Sequence, residues 1–257
     1  MSMIASTRRV TFVAGAVILL LAALPGSVAA NHSWGNYHWA RESNPFTLRL
    51  GDNVSSSWDS YLATTSSDWS ASSVLDTTVV AGRTRAKTCR ATTGQVEVCS
   101  AAYGNNGWLG VAQIWASGSH ITKGTVKVND SYFKSSPYNS PAWRNLVMCQ
   151  EVGHTLGLDH QDEDFDNGNL GTCMDYTSSP EANQHPNQHD YDQLETIYAH
   201  LDSTTTVASS AGGAKLGKGH ANRGWGRLIA TAHGGRAAVY ELRTSARDAI
   251  VTFVIWA

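Results

Sequence analysis

The sequence lacks any strong excess of charge of one sign. Its 19 Lys and Arg residues are balanced by 21 Asp and Glu residues, which gives a formal net charge of −2 at pH 7. This balance argues against proteins that bind phosphate backbones or anionic lipid through an excess of basic residues. We therefore expect no nucleic acid and no membrane among the partners of the protein.

Long apolar runs are also scarce, and the longest lies at the N-terminus. Arg8 and Arg9 precede an apolar run over residues 10–24, and small residues follow as far as Ala30. A transmembrane anchor is the alternative, but the run is shorter than the roughly 20 apolar residues that span a bilayer. The layout is typical of a secretory signal peptide. We predict that residues 1–30 are removed and that the mature protein is secreted and extracellular.

Cysteine is sparse as well, with four residues in the chain, all after the predicted signal peptide. An even number of cysteines in an exported protein predicts two disulfides. Their order along the chain suggests that Cys89 pairs with Cys99 and Cys149 with Cys173. The alternative is a cysteine metal site, although neither pair has the close CxxC spacing that such sites prefer.

The exported part divides by composition into three segments. Residues 31–202 carry strand-like and helix-like patterns and are long enough to bury a core, which predicts one mixed α/β (α+β) domain. Residues 203–222 are rich in Gly, Ser and Ala and predict a linker. Residues 223–257 contain strand-like runs and predict a β-rich C-terminal tail. The tail is short for a domain, and its strands could instead dock on the main one.

Short β-rich runs separated by Gly and Asn predict a twisted sheet of five strands in the main domain. In HITKGTVKVND, residues 120–130, the alternation of side chains indicates a strand with one wet face, so we predict an edge strand. His120 opens this strand. No carboxylate stands at a metal-ligand spacing beside it in the sequence, and we therefore predict a surface histidine.

A helix with clear end signals follows these strands. Ser140 is placed to accept hydrogen bonds as the N-cap, and Pro141 suits the first turn. Gly157 can adopt the left-handed conformation that ends a helix. Gln150 and His154 are four residues apart and therefore share one face of this helix.

The end of this helix carries a near match to HExxHxxGxxH, in the stretch CQEVGHTLGLDHQD at residues 149–162. In the complete motif, histidines one turn apart and a third after the glycine bind zinc, and the glutamate acts on the attacking water. Glu151, His154 and His160 occupy the required positions. Gln150 stands where the first histidine belongs.

Downstream, the stretch GTCMDYT supplies Met174 in a Gly-led turn, the second element of the metzincin pattern. Residues 31–202 therefore resemble a metzincin zinc metallopeptidase with a bacterial matrixin-like arrangement. The resemblance implies a twisted mixed sheet, an active-site helix, a Met-turn and a C-terminal helix. It also implies bound Zn²⁺ and a peptide or protein substrate in extended conformation. We further expect the protein to be a monomer.

The resemblance also implies a role for each matching residue. Glu151 becomes the general base, and His154 and His160 become zinc ligands. Met174 becomes the hydrophobic floor beneath the metal. The MDY stretch is similar to the MxY of astacins and serralysins, so Tyr176 becomes a candidate to bind zinc and to stabilise the transition state.

Gln150 leaves three interpretations open, because an amide oxygen is a neutral and poorer zinc donor than imidazole. In the first, Gln150 is a metal ligand and the protein is a secreted zinc-dependent endopeptidase, in which Glu151 takes a proton from the attacking water. In the second, the protein is a catalytically inactive metzincin-like pseudoprotease or a secreted binding protein. In the third, His185 or His189 replaces the missing ligand.

The substrate and the disulfide have predicted places in this arrangement. We predict that an extended substrate pairs with the edge of the strand at residues 120–130. A bridge between Cys149 and Cys173 would tie the active-site helix to the turn at Met174 and hold the ligand geometry. The alternative for this bridge is general stabilisation of an exported protein.

An acidic stretch, DHQDEDFDNGN, follows the motif at residues 159–169. Its carboxylates at Asp162, Asp164 and Asp166 alternate in a spacing that could bind Ca²⁺. The stretch departs from the EF-hand pattern, and a solvated acidic loop is the alternative.

The tail contains aromatic residues that allow two interpretations. They indicate either packing or a carbohydrate-binding platform, which would suit a secreted binding module. These residues are Trp225, Tyr240, Phe253 and Trp256.

Overall fold

The protein has a mixed α/β fold, seen in a computed structural model that describes residues 32–208, 224–232 and 235–257. The predicted fold class is therefore confirmed. The predicted signal peptide at residues 1–30 and most of the predicted linker at residues 203–222 lie outside the described residues.

Strands dominate the described chain, with helices between them. In chain order the elements are β1 (His38–Trp39), β2 (Phe46–Asn53), α1 (Asp59–Trp69), β3 (Leu75–Ala81), β4 (Val96–Ala101), β5 (Trp108–Ser117), β6 (His120–Asn129), α2 (Pro141–Thr155), α3 (Gln188–Ile197), β7 (Arg227–Thr231), β8 (Ala237–Arg243) and β9 (Asp248–Trp256). A 3-10 turn over Pro180–Ala182 precedes α3.

These strands join one mixed sheet in the order β3-β2-β4-β6-β5-β9-β8-β7, with β1 paired to the start of β6. The strands β3, β2, β4 and β6 are parallel. The strands β5, β9, β8 and β7 continue the sheet by antiparallel pairing. The sheet is larger than the five strands predicted from sequence, because β1 and the three tail strands also belong to it.

The core lies between the sheet and the helices. Leu48 and Leu50 alternate along β2 with more exposed residues, and both are fully buried. Leu62 and Trp69 of α1 meet the same apolar cluster. Val152 of α2 belongs to it as well, so α2 is fixed against both the sheet and α1. This packing holds the motif helix at one position in the core.

The prediction that residues 120–130 form an edge strand is wrong. β6 is an interior strand, paired with β4 on one side and with β5 on the other. The alternation of side chains along β6 distinguishes the two faces of the sheet and does not identify an edge strand. On the more polar face, the ammonium groups of Lys123 and Lys127 lie over the rings of Trp115 and Tyr103. The predicted pairing of substrate with this strand is therefore also wrong, since β6 offers no free edge there.

Both ends of α2 follow the local signals in the sequence. The Ser140 side chain accepts a hydrogen bond from the Trp143 amide at 3.2 Å, and Pro141 is the first helical residue. Gly157 has a φ of +100°, a left-handed conformation that costs a glycine little. A Cβ at Gly157 would also overlap the Tyr37 carbonyl oxygen. The helix therefore ends where the motif needs the chain to turn.

Both predicted disulfides are present. Cys89 is joined to Cys99, and Cys149 to Cys173. Cys149 lies in α2, and Cys173 directly precedes Met174. The second bridge therefore connects the motif helix to the following turn.

The tail strands extend the sheet of the main domain. β9 pairs with β5 along nearly its whole length, from Trp108 opposite Trp256 to Ser117 opposite Asp248. β8 pairs with the other side of β9, and β7 follows β8. Trp225, Tyr240 and Trp256 pack together around Trp108. These three aromatic side chains therefore take part in packing.

None of the helices in the described ranges combines the length and the apolar character that a membrane span requires.

Candidate metal centre

The helix α2 buries the predicted site residues of its last two turns. Gln150, Glu151 and His154 each expose 2 % or less of their surface. Polar groups at such depth normally have hydrogen-bond partners, so an unpartnered atom here requires an explanation.

His154 is fixed in a form that can bind a metal. Its Nδ1 lies 2.9 Å from the carbonyl oxygen of Leu158. Because a carbonyl only accepts, Nδ1 carries the ring proton, and Nε2 keeps its lone pair free. Burial, together with the neighbouring His160, lowers the pKa of His154 to about 3. The imidazole is therefore neutral at physiological pH.

The turn at Gly157 brings His160 back towards His154. Their ring centroids are 4.4 Å apart and the rings are nearly perpendicular, at 74°. The Nδ1 of His160 lies 3.4 Å from an oxygen of Asp159. The turn thus places the imidazoles of His154 and His160 in one buried space, which an extended chain would not do. This is the arrangement that the motif predicts for a metal site.

Gln150 has one satisfied and one unsatisfied group. Its Nε2 donates to the Cys173 carbonyl oxygen at 2.9 Å. Its Oε1 is buried and has no hydrogen-bond partner. A buried amide oxygen without a donor is costly unless a cation or another group meets it. The Cys149–Cys173 bridge fixes the segment that accepts this hydrogen bond.

Glu151 points from α2 towards β5, into space that Gly110 leaves open. A Cβ at Gly110 would overlap the Oε1 of Glu151. Burial raises the pKa of Glu151 well above its usual value, and a hydrogen bond from the Ala112 amide opposes this shift. The Oε2 atom has no partner. Glu151 is therefore a buried carboxyl group with one free oxygen.

Met174 packs against α2, and Tyr176 contacts His160. Met174 is fully buried beneath α2, and a Cβ at Gly153 would come within 2.6 Å of its Sδ. The ring of Tyr176 lies 3.8 Å from that of His160. Burial raises the pKa of Tyr176 well above its usual value, and the charges of Glu163, Asp159 and Glu151 add to this shift.

The tail covers this group of residues. The ring of Phe253, in β9, is stacked on His154, with centroids 4.3 Å apart and an angle of 6°. Ala232 and Ala237 pack with Tyr176 in a small apolar cluster. Sequence reasoning missed this contact. The signal was present, because AIVTFVIWA is almost uniformly apolar, which is typical of a strand buried on both faces.

The acidic residues after the motif bond mainly to their own loop. Asp162 accepts hydrogen bonds from the Asp164 amide at 2.6 Å and from the Asn167 side chain at 2.6 Å. Asp164 accepts from the Asp166 amide at 2.9 Å. Among the described residues, another trio in this region, Asp159, His160 and Glu163, brings its ligand atoms within 4.8 Å of one another. Calcium binding by Asp162, Asp164 and Asp166 stays a prediction.

The two histidines considered as substitute ligands have other partners. His185 Nδ1 lies 2.7 Å from an oxygen of Asp68, and His185 is largely exposed. The ring of His189 is stacked on that of His32 at 4.9 Å. Neither contact involves the space between His154 and His160.

The residues present fit a zinc ion. Zinc accepts imidazole nitrogen and oxygen donors in four-coordinate sites. The free Nε2 of His154, the ring of His160 and the unpartnered Oε1 of Gln150 supply such donors. The orphaned oxygen of Gln150 is the atom that a bound cation would satisfy.

No protein-family model matches the chain, and no curated protein matches it. Among solved structures, the chain is similar to high choriolytic enzyme 1, a hatching-enzyme zinc-protease from the medaka fish Oryzias latipes. The two share 10 % identity with a TM-score of 0.36, over 66 % of this chain and 99 % of the other. A likeness of this size does not assign the chain to a family.

Proposed function

We propose that the protein is a secreted zinc-dependent endopeptidase of the metzincin kind, with a bacterial matrixin-like arrangement and an unusual ligand set. One observation carries the proposal: the buried Oε1 of Gln150 has no partner, one helical turn from the free nitrogen of His154. An inactive scaffold has no evident need for a buried amide oxygen without a hydrogen-bond partner beside the imidazole of His154.

In this proposal, Gln150, His154 and His160 hold the metal, which supplies Lewis-acid polarisation of the scissile carbonyl when bound. Glu151 takes a proton from the attacking water and delivers it to the leaving amine. Its raised pKa suits this exchange, because the carboxyl can hold the proton between the two steps. Met174 packs against α2 at Gly153, next to His154, and Tyr176 orients His160 through ring contact.

Substrate would pair with β5, where β9 now lies. β9 runs antiparallel to β5 and inserts Phe253 over His154, so it occupies the position that an extended peptide needs. Hydrolysis therefore requires β9 to withdraw. The structure in this proposal represents a covered form of the peptidase.

A second candidate function is an inactive metzincin-like pseudoprotease. The observation that favours it is the burial of the whole site, since Gln150 and Glu151 are each 1 % exposed. In this alternative, the unpartnered Oε1 of Gln150 is left over from a metal site that no longer functions. The tail strands are then a permanent part of the fold.

Cleavage of a fluorogenic peptide library by the mature full-length chain, with Phe253→Ala to loosen the cover, separates the two candidates. We expect hydrolysis that disappears when Glu151→Gln is added in the same background. Absence of hydrolysis in the Phe253→Ala protein, with zinc still bound at His154, would establish the pseudoprotease instead.

A further inference from the structure

A second group of metal-binding side chains lies away from the candidate centre and shares no residue with it. Asp202 follows α3, and its Oδ1 is surrounded by three imidazoles. The Nε2 atoms of His120, His38 and His200 lie 3.2, 3.5 and 3.7 Å from this one oxygen. The Nε2 atoms of His38 and His200 are 3.2 Å from each other.

The fold brings these residues together from distant parts of the chain. The parallel pairing of β1 with β6 places His38 directly beside His120. The amide of Asp202 donates to the Arg41 carbonyl at 2.9 Å, which anchors the segment after α3 beside β1. Only His200 and Asp202 are close in the sequence, and no local spacing links them to His38 or His120. This explains why the sequence predicts His120 to be an isolated surface histidine.

The buried half of the group is held in a form suited to metal binding. The Nδ1 of His38 lies 2.7 Å from the Asn36 carbonyl oxygen and therefore donates to it, which leaves Nε2 with its lone pair. The other carboxylate oxygen of Asp202 accepts from the Arg41 guanidinium at 2.9 Å and from the Arg41 amide at 3.2 Å. The Oδ1 atom is thus left to face the imidazoles.

The spacing matches a coordination shell better than a hydrogen-bond network. A neutral His38 presents a lone pair to a carboxylate oxygen, and two acceptors in contact repel each other. In a tetrahedral zinc site with bonds of about 2.0–2.1 Å, neighbouring ligand atoms are about 3.3 Å apart. The separations among His38, His200 and Asp202, at 3.2, 3.5 and 3.7 Å, lie near this value.

The group is open to solvent on one side. The side chains of His38 and Asp202 are 6 % and 9 % exposed, whereas those of His120 and His200 are 37 % and 53 % exposed. They line an open pocket of about 470 Å³. An ion can therefore reach the two buried ligands from the solvent side, where the two more exposed imidazoles lie.

We propose that His38, His200 and Asp202 bind a divalent transition-metal ion, with zinc as the best match, and that His120 adds a further imidazole from the open side. The ion would fasten β1 to the segment after α3. Imidazole-rich donor sets suit zinc and the neighbouring transition metals, whereas calcium and magnesium prefer oxygen alone.

The test is zinc content of the mature full-length chain after dialysis, measured by elemental analysis. The proteins compared are the unaltered chain, His200→Ala, and four proteins that carry His154→Ala. In the His154→Ala protein, which lacks a ligand of the candidate catalytic centre, we expect one zinc per chain. Adding His200→Ala should remove it, and adding His120→Ala should weaken zinc binding by about tenfold or more. His185→Ala, also in the His154→Ala background, is the matched control. His185 contacts a carboxylate as well, but it belongs to no group of three potential metal ligands among the described residues.

Equal zinc content with and without His200→Ala in the His154→Ala background would overturn the proposal. The same measurement tests the proposed catalytic centre separately. If His154→Ala has as much zinc as the unaltered protein while His200→Ala has less, zinc does not bind at the catalytic centre but does bind at the second site. Thermal unfolding with and without added zinc provides a readout independent of activity. Zinc should raise the Tm of the His154→Ala protein and leave the Tm of the protein with both His154→Ala and His200→Ala unchanged.

Discussion

Phe253 and His154 lie ring on ring, 4.3 Å apart and within 6° of parallel, although they are almost a hundred positions apart in the sequence. One face of the imidazole is therefore closed to water by a strand of the tail. Since the free nitrogen of His154 belongs to the same ring, this contact couples the position of β9 to access to the candidate metal centre.

Replacing Phe253 with alanine should uncover the site. The ring is 1 % exposed, and loss of a buried phenylalanine side chain costs about 3–5 kcal/mol of stability, much of it in the attachment of β9. We expect peptide hydrolysis to rise by about tenfold or more. Val254→Ala is the control, because Val254 lies on the opposite face of β9 with Trp108. An equal rise in both variants would mean general loosening of the protein.

Glu151→Gln should abolish hydrolysis while zinc binding persists. General acid–base catalysis contributes roughly 10²–10⁴-fold, so we expect a loss in kcat of that size with little change in zinc content. The control is Glu181→Gln, a change at an exposed glutamate of the 3-10 turn. Retained activity in the Glu151→Gln protein would contradict the role of Glu151 as the base.

Gln150→His should strengthen zinc binding at the candidate centre. Imidazole is the better zinc donor, and its second nitrogen can replace the hydrogen bond that Gln150 now donates to Cys173. In the His200→Ala background, which removes the proposed second site, we expect the dissociation constant for zinc to fall by about tenfold or more. An unchanged dissociation constant, from competition with a chromogenic chelator, would show that residue 150 is not a ligand.

Gly110→Ala should displace Glu151. The added methyl group would overlap the Oε1 of Glu151, and overpacking of this kind costs about 1–3 kcal/mol. We expect a lower free energy of unfolding in urea and lower activity together. At Gly224 an added Cβ meets nothing within 4 Å, so Gly224→Ala should change stability by less than about 0.5 kcal/mol. Equal effects of the two changes would be inconsistent with the close approach of Glu151 to β5.

Asp190 should make the protein lose stability as the pH rises from about 4 to about 6. Burial raises its pKa in the folded protein from 3.8 to about 6, so the folded state holds the proton more tightly than the unfolded state. Above pH 6 this costs roughly 1–3 kcal/mol. Asp190→Asn should remove that part of the pH dependence, whereas Asp192→Asn, at an exposed position, should not. Urea unfolding at pH 4 and pH 7 measures the difference.

Local signals predicted local structure well. Ser140, Pro141 and Gly157 mark the ends of α2 because capping and the left-handed turn depend on neighbouring residues alone. The cysteine pairs also follow from order in the chain. The motif residues of α2 and the turn meet because the helical period and one glycine fix their relative positions.

These local signals could not predict which distant segments of the chain pair with each other. The alternation in β6 gives its two faces but not its neighbours, so an interior strand was predicted to be an edge. The same limit hid the pairing of β9 with β5 and the approach of Asp202 to His38 and His120. In each case the partner lies many residues away, and only the assembled sheet determines the contact.

The placement of β9 also decides which backbone groups the protein presents to other chains. Without the tail, β5 would offer ten residues of mostly buried, apolar strand as an open edge, a template on which other chains can add strands. With the tail in place, the sheet ends instead at β7, which has five residues and begins with the exposed Arg227. The segment that covers the candidate metal centre thus also protects the protein against strand-to-strand aggregation. Release of this segment would expose the candidate centre and the edge of β5 at once.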